Sequence, residues 1–180
     1  MTLAILGTGG HAKSIYDIVK TKTKIYFFDQ KNKSFKVGAK KFIVKSNSSL
    51  IKIYKKKISE VIIAIGDNEI RKKKFNKLKK NNFKFATLIH PKAHLSYGSK
   101  IGQGSVVMQG TLINTDSKIG VNCIINSNAS IDHDCSIKDH THVCPGVIIA
   151  GNVKIGRNCW IGLGSKIIQN CVIGDNVFIA

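Results

Sequence analysis

Residues 101–136 read IGQGSV VMQGTL INTDSK IGVNCI INSNAS IDHDCS, six consecutive hexads that each open on Ile or Val. The same frame continues without a slip to Ile179 and extends backwards through Leu95 and Ile89. Four residues after each lead stands a small side chain, such as Ser105, Thr111, Ser117, Cys123, Ala129 or Cys135. Large aliphatic and small residues recurring at one fixed spacing fill a narrow core to close-packed density. A six-residue period of this kind specifies a parallel β-helix. Three residues after each lead the chain carries Gly, Asn, Asp or His, from Gly98 to Asn176. Those types tolerate positive φ, so this column is the turn between short strands.

Residues 1–87 follow a different grammar, strand and helix in alternation. Leu3–Leu6 is a buried strand, His11 to about Lys20 a helix, Ile25–Phe28 and Val61–Ile65 further strands. Asn68 is expected to cap a helix over 69–80, and 85–89 leads into the hexads. Such alternation predicts a parallel sheet with right-handed crossovers. Gly7-Thr8-Gly9-Gly10-His11-Ala12 fits G-x-G-x-x-A between a strand and a helix, with Asp29 about 20 residues on. Glycines let the backbone approach phosphate, and the helix N-terminus supplies N–H groups and a positive dipole. Asp29 is placed to accept from a ribose or a base. In so short a lobe the pattern suits a nucleotide diphosphate better than NAD; a tight turn that binds nothing stays open as the alternative.

Charge divides as sharply as pattern. Residues 1–100 carry 24 basic and 5 acidic side chains, whereas 101–180 carry five of each. The lysines fall in runs such as 55–57 and 71–74 without aromatic residues between them, which reads as a solvated surface rather than a nucleic-acid site. No apolar stretch approaches the ~20 residues of a membrane span, and Met1 leads straight into a strand rather than a signal peptide, so the chain reads as soluble and cytoplasmic. Cys123, Cys135, Cys159 and Cys171 sit in the small core column, which argues for core filling over disulfides or zinc.

The hexads closely resemble the left-handed β-helix of hexapeptide-repeat acyltransferases. In that fold three hexads form one triangular coil and residues 18 apart stack, which implies the geometry used next. His140 and Asp134 fall in the turn column. His133 does not; it projects outward with Thr115, Gly151 and Gln169 in its column, and the glycine is expected to leave room for a ligand. His142 belongs to an outward stripe of Val106, Ile124, Trp160 and Phe178, an expected self-association face. The two histidines lie half a coil apart, on nearly opposite sides of one prism. Around a three-fold axis, one subunit's His133 faces its neighbour's His142, so the site is expected at a subunit interface. A metal reading of Asp132, His133, Asp134, Cys135, His140, His142 and Cys144 is set aside because Cys135 faces inward and the histidines diverge. The interface zinc of γ-type carbonic anhydrases, which share the fold, keeps that option in view.

Both halves together resemble the nucleotide-amino-sugar N-acetyltransferases and sialic acid O-acetyltransferases. The resemblance rests on Gly7 to His11, Ile63-Ala64-Ile65-Gly66 with Asn68-Glu69-Ile70-Arg71-Lys72, Leu88-Ile89-His90, Ile131 to Cys135, and Gly151-Asn152-Val153-Lys154-Ile155-Gly156. The last groups look closest to UDP-4-amino-sugar, bacillosamine-type enzymes. The resemblance implies an α/β Rossmann-like nucleotide-sugar-binding domain at 1–87 and a left-handed β-helix acyltransferase domain at 88–180, acting as a homotrimer. It implies His133 as general base, Asp134 as the residue that raises its basicity, and Asn126, His142, Gly151 and Leu163 as contacts to acetyl-CoA. Gly9, Gly10, His11, Asp29 and Gly66 correspond to the nucleotide-sugar site, with no metal. Gln30 stands where relatives can carry a second acid. Relatives continue beyond the point matching Ala180, so the β-helix domain is expected to be cut short. The implied reaction moves acetyl from acetyl-CoA to the amine of a nucleotide-linked sugar, with sugar O-acetylation, a non-catalytic nucleotide-binding scaffold and a dehydrogenase as the rival readings.

Overall fold

The computed structural model describes residues 2–19, 24–50 and 57–180. They form two compact units, Met1–Ile65 with Lys73–Ala86, and Gly66–Lys72 with Thr87–Ala180. In the first, β1 (Thr2–Leu6), β2 (Lys24–Asp29), β3 (Ser34–Val37), β4 (Lys40–Ser46) and β5 (Glu60–Ile63) make one sheet in the order β3-β4-β2-β1-β5. β4, β2, β1 and β5 run parallel, so the central strands are covered on both faces and read as unbroken apolar runs. β3 and β4 form an antiparallel hairpin at the edge, joined through Gly38 at φ 55. The strand–helix alternation does not predict this hairpin, because lysines at 36, 40, 41 and 45 dilute its apolar residues. The run at 55–57 lies largely outside the described residues.

Helix α1 (Gly10–Val19) buries Ala12, Ile15, Tyr16 and Val19, the i, i+3, i+4, i+7 stripe that seats a helix on a sheet. Tyr16, Phe27, Phe35 and Phe42 pack around one another with ring centroids 4.7–6.3 Å apart. Helix α2 (Asn68–Lys80) contributes to both units, and Phe75 stacks on Phe85 at 4.1 Å. Its cap is Asp67, whose Oδ1 accepts from the Ile70 N–H at 2.8 Å, rather than Asn68, which lies one residue inside. Gly7 closes β1 at φ 108, where an added Cβ would lie 2.7 Å from the Ala64 carbonyl oxygen. Only glycine fits there, whatever the turn binds.

In the second unit, two-residue strands from β6 (Leu88–Ile89) to β21 (Phe178–Ile179) stack at 18-residue intervals into three parallel sheets. Each lead residue is the second of its strand, and Ile113, Ile125, Ile131, Val143, Ile149 and Ile161 are fully buried. Burying one such side chain stabilises the fold by roughly 1.5–3 kcal/mol. The whole turn column is left-handed, from Gly98 at φ 74 to Asn176 at φ 60, with Asp134 at 60 and His140 at 65. The small column does more than fill space. Ser105, Ser117 and Thr141 donate their hydroxyls to the carbonyls of Gly120, Asp132 and Gly156, and accept from the N–H of Cys123, Cys135 and Cys159. All five cysteines are free.

The stripe Val106, Ile124, His142, Trp160, Phe178 stacks in register as expected, yet it is not an exposed face. Val106, Ile124 and His142 are buried within the single chain, and Phe178 alone is fully open. On that side of the β-helix the segment Gly66–Lys72 bonds to successive coils, Asn68 Nδ2 donating to Cys159 O and Arg71 to Asn122 O and His140 O. Within this stripe, only the end at Phe178 stays exposed.

Candidate active site

β13 (Ser130–Ile131) leads into a turn with His133 at its tip. Asp132 Oδ1 accepts from the His133 N–H (2.8 Å) and from Asn114 Nδ2 (2.9 Å), while the Asp134 N–H donates to Thr115 O one coil back (3.0 Å). These bonds hold the tip rigid. The His133 imidazole, its side chain 59% exposed, sets Nδ1 2.8 Å from Asp134 Oδ2. In the neutral ring the Nδ1 proton is donated to that carboxylate, so the basic lone pair is on Nε2. The Asp134 hydrogen bond, and after it the negative charge of Asp132, hold the His133 pKa above its ordinary 6.5. Asp132 is itself held below the usual carboxylate value by the Asn114 and His133 donors.

Gly151 lies one coil on. A Cβ there would fall 2.7 Å from both His133 Cε1 and Nε2. The space above the glycine, expected to admit a ligand, is taken by the imidazole itself. The glycine serves the ring.

Asn126 follows β12 (Ile124–Ile125), and His142 opens β15 (His142–Val143), in a different sheet from the β13 that precedes His133. Asn126 Oδ1 accepts from the Ser127 N–H (2.8 Å), which orients its amide so that Nδ2 donates to His142 Nε2 (3.1 Å). His142 is 5% exposed and meets the Trp160 ring edge-on at 4.5 Å. Leu163, by contrast, is 74% exposed. Cys144 is buried and its thiol pushed up to about 11 by desolvation, far from a reactive thiolate.

In the first unit, α1 begins at Gly10, and a Cβ at Gly9 or Gly10 would meet nothing within 4 Å. The same holds for Gly66 in the second unit. His11 is half-buried on the first turn of α1. Asp29 ends β2, its Oδ2 accepting from the Thr8 hydroxyl (2.8 Å) and its Oδ1 from the Lys31 N–H (2.9 Å). Partial burial works against its charged form, but donors from Lys31, Thr8, Asn32 and Gln30 outweigh that and hold its pKa low. A cavity of about 110 Å³ at the carboxyl ends of the parallel strands is lined by Gly7, Asp29, Gln30, Lys31, Asn47, Ile65 and Lys74. Ligands of open α/β sheets bind at that edge.

Arg71 departs from expectation. Assigned to a solvated run, it is 1% exposed. Its guanidinium donates to Gly66 O (2.7 Å), Asn122 O (3.1 Å), His140 O (2.7 Å) and Asn68 Oδ1 (2.7 Å). Burial lowers its pKa to about 10, and it remains charged. Carbonyl oxygens do what a carboxylate would do elsewhere. The i, i+3 spacing of Asn68 and Arg71 was the available signal, masked by the lysines beside it. Among the described residues, no group of three His, Cys, Asp or Glu side chains is placed to hold a metal ion, and no helix is long and apolar enough to cross a membrane.

A coiled stack of hexapeptides carrying an exposed, carboxylate-oriented histidine, after an α/β unit with a glycine-rich turn, defines the hexapeptide acyltransferase class. Residues 2–78 match the PglD N-terminal domain, and residues 152–180 match the bacterial transferase hexapeptide (six repeats). The acetyltransferase domain of PglB from Neisseria gonorrhoeae FA1090, solved in complex with acetyl coenzyme A, is 32% identical, with 98% of this chain and 86% of that chain covered at a TM-score of 0.90. A histidine-to-asparagine variant of perosamine N-acetyltransferase from Caulobacter crescentus, in complex with CoA and GDP-perosamine, is 28% identical, covering 100% and 89% at a TM-score of 0.82. The UDP-N-acetylbacillosamine N-acetyltransferase of Bacillus subtilis (strain 168) is 33% identical over 111 residues, 59% of this chain and half the length of that relative. The chain belongs to the hexapeptide-repeat sugar acyltransferase family with a PglD-type N-terminal domain, a Rossmann-like α/β unit followed by a left-handed parallel β-helix.

Proposed function

We propose that the chain transfers acetyl from acetyl-CoA to the amine of a nucleotide-linked amino sugar, with His133 as general base. The observation that carries this reading is the exposed imidazole whose Nδ1 is held 2.8 Å from Asp134 Oδ2 above Gly151. The relatives that bind acetyl coenzyme A, or CoA with GDP-perosamine, support the reaction class. The amine nitrogen attacks the thioester carbonyl carbon, the N–C bond forms and the C–S bond breaks. The proton lost by nitrogen goes to His133 Nε2 and then to the departing thiolate. Positioned general-base assistance of this kind is worth roughly 10²–10⁴-fold. Asp134 holds the tautomer and stabilises the imidazolium as it forms. The diphosphate meets the N–H groups at the start of α1, where Gly9 and Gly10 leave open approach, and Asp29 takes a ribose hydroxyl.

The neighbour's Asn126–His142 pair completes the site in a homotrimer, Asn126 presenting the amide that His142 orients. Acetyl-CoA-dependent thiol release, measured across UDP- and GDP-linked 4-amino sugars and sialic acids, tests the reading. Turnover is expected with a nucleotide-linked amine and is lost in His133→Ala. Near-normal turnover in that variant, or turnover with the sialic acids alone, overturns it.

A further inference from the structure

In the first unit, α1 covers one face of the sheet, where Tyr16 meets Phe27 and Phe42. Strand alternation turns Tyr26, Phe28, Lys41, Ile43 and Lys45 to the other face. Phe28 pairs with Lys45, and the same register carried one step back sets Tyr26 beside Ile43. Phe28 is fully buried, Tyr26 half-buried and Ile43 84% exposed, so the cover on this face ends between β2 and β4. Lysines surround the bare isoleucine. Lys41 and Lys45 flank it along β4, Lys36 pairs with Lys41 from β3, and the Lys24 ammonium sits 5.8 Å from the centre of the Tyr26 ring. Residues 30–59, which include the hairpin, hold ten lysines and neither Asp nor Glu. Lysine on an edge strand deters stray pairing, which accounts for Lys36 on β3. It does not account for an open Ile43 on the strand inside that edge.

We infer that this face is a docking surface for an anionic phospholipid bilayer, with Ile43 entering the headgroup layer and Lys24, Lys36, Lys41 and Lys45 meeting lipid phosphates. Peripheral binding joins buried apolar area to attraction for anionic lipid, and the patch carries both. Two features favour lipid over nucleic acid. Residues 30–59 contain no arginine, the side chain whose fork reads base edges. The exposed apolar group is aliphatic rather than a platform for stacking bases, and the Tyr26 ring is already engaged by Lys24. Docking of this kind is independent of acetyl transfer and is measured without it.

Co-sedimentation of the full chain with vesicles of phosphatidylcholine containing a third phosphatidylglycerol tests the assignment, beside vesicles of phosphatidylcholine alone. Binding is expected to the anionic vesicles only, and is expected to vanish at about 1 M salt, where the screening length falls to about 3 Å. A lysine near an anionic surface is worth about fivefold in partitioning, so Lys36→Gln with Lys41→Gln is expected to weaken binding about 25-fold. Ile43→Ser is expected to weaken it about tenfold. Lys118→Gln with Lys154→Gln removes the same charge from exposed positions of the β-helix, and is expected to change binding by less than about twofold. Every substituted side chain is exposed, and the melting temperature checks that the fold is kept. No binding to the anionic vesicles, equal binding to the neutral ones, or binding that persists in high salt overturns the inference. So does an unchanged affinity in Ile43→Ser, a β-helix variant that loses as much as the hairpin variant, or a single-stranded oligonucleotide that binds more tightly through the same lysines.

Discussion

Replacing Gly151 by Ala puts one methyl group against the imidazole, and the structure sets the size of the response. The added Cβ would fall 2.7 Å from His133 Cε1 and Nε2, while ordinary contact begins at 3.4 Å. The ring must retreat by at least 0.7 Å (3.4 − 2.7). That displacement is taken against a 2.8 Å hydrogen bond to Asp134 and moves the basic nitrogen off its line. Misplacement of a reacting group by about 1 Å costs on the order of 10²-fold in rate, or about 2.7 kcal/mol in the barrier. Stability is expected to hold or rise slightly: Gly151 is outside the left-handed region, so alanine brings no backbone strain, and the exposed ring moves before the coil does. The assay is kcat for thiol release with both substrates saturating, beside the melting temperature. A double-mutant cycle makes the reasoning strict. If the glycine acts only through the ring, Gly151→Ala adds nothing to the loss already caused by His133→Ala. A Gly151→Ala enzyme that keeps more than a third of kcat, or an additive double mutant, refutes the argument.

The remaining expectations are independent. Since the raised pKa of His133 means the base is freed only at higher pH, the rising limb of kcat/KM should have its midpoint above 6.5. In Asp134→Asn the chief cause of the shift is gone, and the midpoint should move down with a lower plateau; an unmoved limb contradicts the pairing. The fold should tolerate that change, because Asn holds the same left-handed turn at positions 122, 128 and 152. Arg71→Ala strands Gly66 O, Asn122 O, His140 O and Asn68 Oδ1, and at about 1–3 kcal/mol for a buried unsatisfied group it should cost at least about 3 kcal/mol in urea denaturation. A loss below 1 kcal/mol would mean that the latch is not structural. Thiol labelling of the native protein at pH 8 should reach the half-buried Cys171 first and spare Cys123, whose pKa burial pushes up to about 12; rapid labelling of Cys123 would contradict its placement.

The β-helix was legible because each coil makes the same demands on its residues. An aliphatic lead, a small partner and a left-handed turn recur in register, and every turn position read from the sequence has positive φ. His133 stood out as an outward residue that the period does not explain. Groups whose partners lie far off in sequence left a fainter trace. Arg71 finds its acceptors 51 and 69 residues away, and nothing in a lysine-rich helix distinguishes a buried guanidinium from a solvated one. Asp67 and Asn68 are both good caps, and the choice between them falls to Cys159 O, which engages the Asn68 amide.

The hydroxyl ladder has a mechanical corollary. Ser105, Ser117 and Thr141 each clasp a carbonyl 15 residues ahead and an amide 18 residues ahead, so three steps of the coil are riveted beyond the strands themselves. A rung joined in this way cannot fray by itself. The column should open as a zip does, rung by rung from its weakest point, and amide exchange along it should be graded rather than uniform.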